Sequence, residues 1–146
     1  MTLARKKSNR SIIKVIGIFN IVMGFAITVS CVSKAFWMRN TIFLPFGLKV
    51  ALFCEPILVA LAITSGIGCL RKSKLAGRVI GSILAVALIL YYAVTSIASL
   101  KLAWSPIQRI ISLEGLLGPT LVYGVILFLL NTRLKSCFEP LSETSA

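Results

Sequence analysis

The 146-residue sequence has no histidine and only four acidic residues, against sixteen lysines and arginines. Histidine is the commonest metal ligand and the usual proton carrier near neutral pH. The four cysteines do not compensate, because no two of them form a Cys-x-x-Cys pair, the spacing typical of zinc and thiol-redox sites. There are also no paired acids and no glycine-rich nucleotide loop. We therefore expect no metal, no cofactor and no catalytic residue, and the balance favours a protein that is not an enzyme.

Charged residues are scarce: they make up 14% of the chain, against roughly a quarter in a soluble domain. Hydrophobic residues make up 58%, more than a core of this size can bury, so lipid must cover the excess. They are concentrated in four stretches, at about 11–32, 48–70, 75–100 and 115–132. Each stretch has about 18 residues or more, enough for a helix to cross a hydrocarbon layer of ~30 Å. The sequence predicts an all-α membrane protein, with one domain covering 1–146 and folded as a four-transmembrane-helix bundle.

The basic residues, which give the chain a net charge of +12, lie at the ends of the predicted spans. One group comprises Arg5, Lys6, Lys7, Arg10, Lys14, Arg71, Lys72, Lys74, Arg78, Arg133 and Lys135. The opposite span ends carry fewer: Lys34, Arg39, Lys49, Lys101 and Arg109. Because cytoplasmic loops are enriched in lysine and arginine, both termini are expected in the cytoplasm, with short tails at 1–10 and 133–146.

This distribution of charge also indicates which partners to expect. Charges confined to span ends are typical of topology signals and of attraction to anionic lipid headgroups, so we expect no nucleic acid. The expected partner is the lipid bilayer, with anionic headgroups on the cytoplasmic side. Another membrane protein or a second copy of the chain is the further alternative.

Glu55 is the one acidic residue inside a predicted span. A carboxylate in hydrocarbon is costly, and it usually faces a bundle interior or a wet cavity and has a partner. Glu55 follows Lys49 by six residues, so at ~1.5 Å per residue it lies about 9 Å inside the outer membrane boundary. Glu55 is therefore the best candidate for a functional residue.

Three other polar residues fall near the depth of Glu55: Thr28, Tyr92 and Tyr123. Tyr92 is preferred to its neighbour Tyr91 because it continues the glycine face of the third span. The sequence thus predicts a polar pocket in the outer half of the bundle. Two interpretations stay open: a hydrogen-bonded buried acid without a function, or a site for a cation, a proton or the headgroup of an amphiphile.

Small residues repeat at helical spacing along each span, and such stripes let membrane helices approach closely. The residues expected to pack between helices are Gly17, Asn20, Gly24, Gly77, Gly81, Ala85 and Gly124. The series Gly77-x-x-x-Gly81-x-x-x-Ala85 is the strongest of these signals. It favours packing within the chain, and a homodimer interface is the alternative.

The outer side carries two further features. A helix-start signal, Ser105-Pro106-Ile107-Gln108, combines an N-cap serine, a proline at the first helical position and a glutamine that completes a capping box. With Gly115 as a reasonable stop, it predicts a short amphipathic helix at about 106–114 on the outer membrane surface. Cys31 and Cys54 also fall toward this side, where either a disulfide or two free thiols would fit.

Two segments resemble stretches of small uncharacterised bacterial four-span integral membrane proteins. One is IGIFNIVMG at 16–24, and the other is SGIGCLR at 65–71, followed by Gly77-Arg78. The resemblance implies a multi-pass protein of a bacterial inner membrane. It brings no known activity with it.

These observations favour a non-enzymatic structural or accessory subunit of a membrane. The alternative is a small transporter or a lipid- or amphiphile-binding protein that uses the outer-leaflet pocket around Glu55. A membrane enzyme using Cys54 or Glu55 is disfavoured, because adjacent residues of a helix point about 100° apart and would not converge on one substrate.

Overall fold

A computed structural model describes residues 3–38, 46–102 and 105–138 of the chain. Its four α-helices are α1 (Leu3–Met38), α2 (Phe46–Leu70), α3 (Ile80–Leu102) and α4 (Pro106–Asn131). A π-helix, Lys74–Val79, leads directly into α3, and a short 3₁₀ turn, Lys135–Cys137, follows α4.

The prediction of an all-α protein with four membrane-spanning helices is confirmed at this level. The four segments long and apolar enough to cross a membrane are Asn9–Phe36, Phe53–Leu70, Lys74–Lys101 and Pro106–Asn131. Most of their large apolar side chains face outward, and Phe25, Phe53 and Leu121 are each more than two-thirds exposed. Surfaces of this kind are stable only against lipid or another apolar partner.

Helix α1 is longer than the predicted span at 11–32. Its 36 residues extend over about 54 Å, well beyond the ~30 Å of a hydrocarbon layer. Residues 3–10 and 33–38 contain no glycine or proline, so nothing in the sequence stops the helix at either membrane boundary. Lys34 therefore lies on a regular helix and not in a loop.

The separate surface helix predicted at about 106–114 is wrong. The start signal itself works, since the backbone N–H of Gln108 donates to Ser105 Oγ at 3.2 Å, but the helix runs past Gly115 to Asn131. No glycine in the described ranges has a positive φ, so Gly115 does not adopt the left-handed stop conformation. A helical glycine costs only about 1 kcal/mol, and the apolar run that follows outweighs it.

Consecutive helices pack against each other, α1 on α2, α2 on α3 and α3 on α4. Glycines make the first contact close: a Cβ added at Gly17 would stand 3.0 Å from the Gly66 carbonyl oxygen. A Cβ added at Gly24 would likewise lie close to the side chains of Ala62 and Ile63 on α2. On the far side, Asn131 Nδ2 donates to Ser82 Oγ at 3.0 Å and joins α4 to α3.

The connection between α2 and α3 is a tight turn in which Lys72 has a φ of 56°. Ser73 Oγ accepts a hydrogen bond from the backbone N–H of Ala76 and caps the π-helix. Gly68 of α2 lies directly against Ala76 and Gly77, with no room for a side chain. The sequence predicts a helix here but carries no signal of its wider π geometry.

The small-residue stripe of the third span faces the interior of the chain. Gly77 lies against Gly68 and Phe138, Gly81 lies against Ser65 and Leu130, and Ala85 is buried. Packing within the chain thus occupies this stripe and leaves no room there for a dimer contact. Gly124 differs from the expectation, because a Cβ added there would meet no atom within 4 Å.

We predict that Gly66→Leu destabilises the fold by about 1–3 kcal/mol, since an added side chain would force α1 and α2 apart. Gly124→Leu is the matched control, and it should leave the free energy of unfolding within about 0.5 kcal/mol of the native value. Reversible unfolding of both variants in mixed micelles measures the difference. Equal destabilisation by the two substitutions would contradict the close α1–α2 contact.

Candidate functional site

The site contains Lys34 of α1, Glu55 of α2 and Tyr91 of α3, which we call the Glu55 cluster. The Glu55 side chain is 2% exposed. Its Oε1 accepts a hydrogen bond from Tyr91 Oη at 2.6 Å and a second one from the Lys34 ammonium group, which also forms a salt bridge with it. One carboxylate oxygen thus joins three helices.

Glu55 is buried because it lies on the face of α2 that packs against the rest of the chain. The buried residues of this face are Glu55, Leu58, Ala62, Ser65 and Cys69. They follow each other three or four positions apart, which is one stripe of a helix. The same stripe that gives α2 its packing surface therefore carries the carboxylate inward.

Lys34 brings the compensating charge from the end of α1. Its side chain is 30% exposed, so the ion pair is buried on the glutamate side and only partly shielded on the lysine side. A long lysine side chain can place its ammonium group away from its own backbone level, here toward the carboxylate. The ion pair is electrically neutral, and a buried charge is tolerated only when it is paired in this way.

Tyr91, and not the predicted Tyr92, donates to Glu55. Gly81, Ala85 and Tyr92 share a face of α3, but that face lies between α2 and α4, because Gly81 contacts Ser65 on α2 and Leu130 on α4. Tyr91, about 100° around the helix, points toward α2. The two tyrosine rings meet edge to face with centroids 5.6 Å apart, and Tyr92 is half-buried beside the cluster.

Thr28 is not brought to Glu55. Its residue is exposed, and its Oγ1 donates to the Gly24 carbonyl oxygen at 2.8 Å within α1. Its neighbour Ile27 takes the buried position on this turn of α1. Of the four residues predicted to share a pocket, Thr28 therefore lies on an exposed face of α1.

Tyr123 is buried, with 2% of the residue exposed. Its ring contacts Phe19 of α1, with centroids 6.0 Å apart and planes inclined at 49°. This contact links the first helix to the last. The Tyr123 hydroxyl has no hydrogen-bond partner among the described residues.

A second buried polar contact lies deeper along the α1–α2 interface. Asn20 Nδ2 donates to Ser65 Oγ at 3.0 Å, and both residues are almost wholly buried. Ser65 follows Glu55 by ten residues, about 15 Å along the helix axis. The interface is therefore held by polar groups at two depths, with glycine contacts along its length.

The structure also tests two kinds of site that cysteine and acidic residues could form, a metal site and a disulfide. In the part of the chain that the structure describes, no group of three histidine, cysteine or acidic residues could hold a metal ion. Cys31 and Cys54 are free thiols and do not form the disulfide that the sequence allows. The chemistry that the Glu55 cluster does support is the neutralisation of a buried charge.

Sequence reasoning found Glu55 but missed Lys34 and Tyr91. Hydropathy alone ends the first span at residue 32, so Lys34 looks like a topology charge. The available signal was the lack of any glycine or proline after that residue, which predicts a continuing helix within reach of Glu55. Whether Tyr91 or Tyr92 reaches Glu55 depends on the positions of α2 and α4 around α3. The sequence of α3 alone does not determine those positions.

Comparisons of the chain with protein-family models, with curated protein sequences and with solved structures found no match.

We predict that Lys34→Met destabilises the fold by about 3 kcal/mol or more, because it leaves the Glu55 carboxylate buried without its partner. Lys34→Met combined with Glu55→Leu should recover most of that loss, since no charge then remains in the interior. Thermal unfolding in detergent measures both effects. Thr28→Val is the control and should be near neutral. A double variant no better than Lys34→Met alone would contradict the pairing.

Proposed function

We propose that the chain is a non-enzymatic structural or accessory subunit of a membrane, of the small multi-pass kind. The observation that carries the proposal is the internal compensation of Glu55. Its carboxylate is neutralised by Lys34 and held by Tyr91 within one chain. A carboxylate compensated in this way connects its helices and leaves no net charge for a substrate.

The spacing of the contacts supports this role. Polar pairs and glycine contacts hold α1 against α2 over most of their shared length. Outside these contacts the described surface is largely apolar. A set of helices held together internally, with an apolar outer surface, suits a membrane component. That surface could contact lipid, another membrane protein or a second copy of the chain.

We further propose a four-helix bundle with both termini in the cytoplasm, in a bacterial inner membrane. The described basic residues of one end support this orientation: Arg10, Lys14, Arg71, Lys72, Lys74, Arg78, Arg133 and Lys135. Asn9 Nδ2 donates to the Arg133 carbonyl oxygen at 3.5 Å, which places the start of α1 beside the segment after α4. Anionic headgroups of the cytoplasmic leaflet are the proposed lipid partners of this end.

A second candidate function is a small transporter or an amphiphile-binding protein that uses the Glu55 site. The partial exposure of Lys34 favours it, because the ion pair then lies within reach of the surface. In this case a bound amphiphile would have to compete with Lys34 for the carboxylate. The two candidates differ in whether the Glu55 cluster is required for activity.

For the orientation, we predict that green fluorescent protein fused to the C-terminus is fluorescent. Alkaline phosphatase fused at Ser105, between α3 and α4, should be active, because the proposed topology puts this connection on the outer side. Fusion of the phosphatase to the C-terminus should give an inactive enzyme. The reverse pattern would contradict the proposed topology.

For the function, we predict that the chain purified from its native membrane in mild detergent carries a partner in a fixed ratio, measured by native mass spectrometry. The variant with Lys34→Met and Glu55→Leu should keep that complex, because the pair serves packing alone. A solitary monomer would contradict the subunit proposal. Binding of a cationic or zwitterionic amphiphile that the double variant loses would support the second candidate instead.

A further inference from the structure

Glu114 lies on a helix long enough to span the membrane, because α4 runs without a break from Pro106 to Asn131. Glu114 precedes Asn131 by 17 residues, so at ~1.5 Å per residue it stands about 25 Å from the end of the helix near Arg133. A hydrocarbon layer of ~30 Å then places Glu114 about 5 Å inside the opposite boundary. A carboxylate at this depth normally has a partner.

Glu114 has no ionic partner within the described part of the chain. The residue is exposed, and the single ion pair among the described residues is that of Lys34 with Glu55. Arg109, five residues earlier on α4, is also exposed and forms no ion pair in the same ranges. Residues five positions apart point about 140° away from each other around a helix, so these two charges do not pair within one helix.

A row of apolar side chains runs between these two charges. Ile110, Leu113 and Leu117 follow each other three and four positions apart, and each is more than two-fifths exposed. This is the spacing of positions a and d of a heptad, along which two helices pack side by side. In that register Arg109 occupies position g and Glu114 occupies position e, one on each flank of the row. We call these five residues the α4 seam.

Two copies of the α4 seam are complementary in charge. Copies of one chain share one topology, so their α4 helices run parallel when the copies are related by a two-fold axis along the membrane normal. In a parallel pair, the residue at position g lies beside the partner's residue at position e five positions later. Arg109 of each copy then meets Glu114 of the other, and the symmetry forms this contact twice.

The side chains of the α4 seam favour a second copy over lipid and favour two copies over more. Lipid tails cover isoleucine and leucine well, but they leave the Glu114 carboxylate unpaired. A β-branched residue at position a with leucine at position d favours two parallel strands. Ile110 and Leu113 are such a pair.

We propose that the chain forms a parallel homodimer through the α4 seam, with Arg109 and Glu114 paired across the interface in both directions. The proposal rests on the proposed subunit function and names a second copy of the chain as the partner. The interface lies in the half of the membrane away from the basic end. It leaves the stripe of Gly77, Gly81 and Ala85 in its place inside the chain.

Charge reversal tests the pairing. Arg109→Glu makes both flanks of the seam acidic and Glu114→Arg makes both basic, so each variant alone should dimerise about tenfold or more weakly than the native chain. Mixed together, the two variants should form a heterodimer, because every charged contact across the seam again joins opposite charges. Förster transfer between two labelled populations in liposomes, followed as lipid is added, measures the dissociation constants.

Lys101→Glu is the matched control, since Lys101 is exposed near the same end of the chain but lies on α3. It should leave dimerisation unchanged. Equal weakening by all three reversals would overturn the proposal. So would a failure of the mixed variants to pair under conditions in which the native chain dimerises.

Cross-linking tests the register without altering either charge. Leu113→Cys lies on the seam, so oxidation in membranes should give a covalent dimer, whereas Ile111→Cys, exposed outside the seam, should remain monomeric. The native chain is the blank, because none of its cysteines lies on α4. Cross-linking of Ile111→Cys as fast as that of Leu113→Cys would contradict the proposed seam.

The remaining outcomes separate this proposal from the subunit function. A complex with a different membrane protein in a fixed ratio, unaffected by Arg109→Glu or Glu114→Arg, would overturn the homodimer and leave the subunit function standing. A native chain that stays monomeric in liposomes at every dilution would leave lipid on the seam and also overturn the homodimer. A solitary monomer in extracts of the native membrane would overturn both proposals.

Discussion

Most of this structure depends on the burial of one carboxylate in an apolar helix face. An ionised Glu55 could not remain there alone, so its presence requires a cation from another helix and a hydroxyl from a third. Lys34 and Tyr91 supply them, which fixes the rotation of α1 and α3 relative to α2. Apolar packing against lipid gives helices little preference for one rotation over another. The buried charge therefore determines the rotation of the helices, which hydrophobic packing leaves undetermined.

The other half of the α1–α2 interface is held differently. There Gly17 and Gly66 bring two backbones together, and Asn20 donates to Ser65 across the interface. Close backbone approach gains many small dispersion contacts that no single substitution removes entirely. One end of the interface is thus held by an ion pair and the other by close backbone contact with one neutral hydrogen bond. An interface of this kind fits a component whose role is to keep its helices in place.

The sequence was sufficient wherever one helix decides the outcome by itself. Hydropathy predicted four spans, and the lone acid in a span predicted Glu55, because both are local properties. The sequence was insufficient wherever a neighbouring segment or helix determines the structure. Gly115 looks like a stop, but the apolar run after it carries the helix on. Tyr92 continues the glycine face, yet Tyr91 reaches Glu55 because α2 lies to one side of that face. Lys34 was missed because its role depends on the reach of a side chain beyond a predicted boundary.

The ion pair also has a consequence for how the chain enters a membrane. Lys34 and Glu55 belong to the first two helices, which are synthesised before α3 and α4. An unpaired acid at the centre of a helix adds about 2.5–3.5 kcal/mol to insertion, and pairing within the first helical hairpin relieves that cost early. Tyr91 arrives only with the third helix. The first hairpin can therefore enter lipid with its interior carboxylate already neutralised, and the later helices add to a surface already formed.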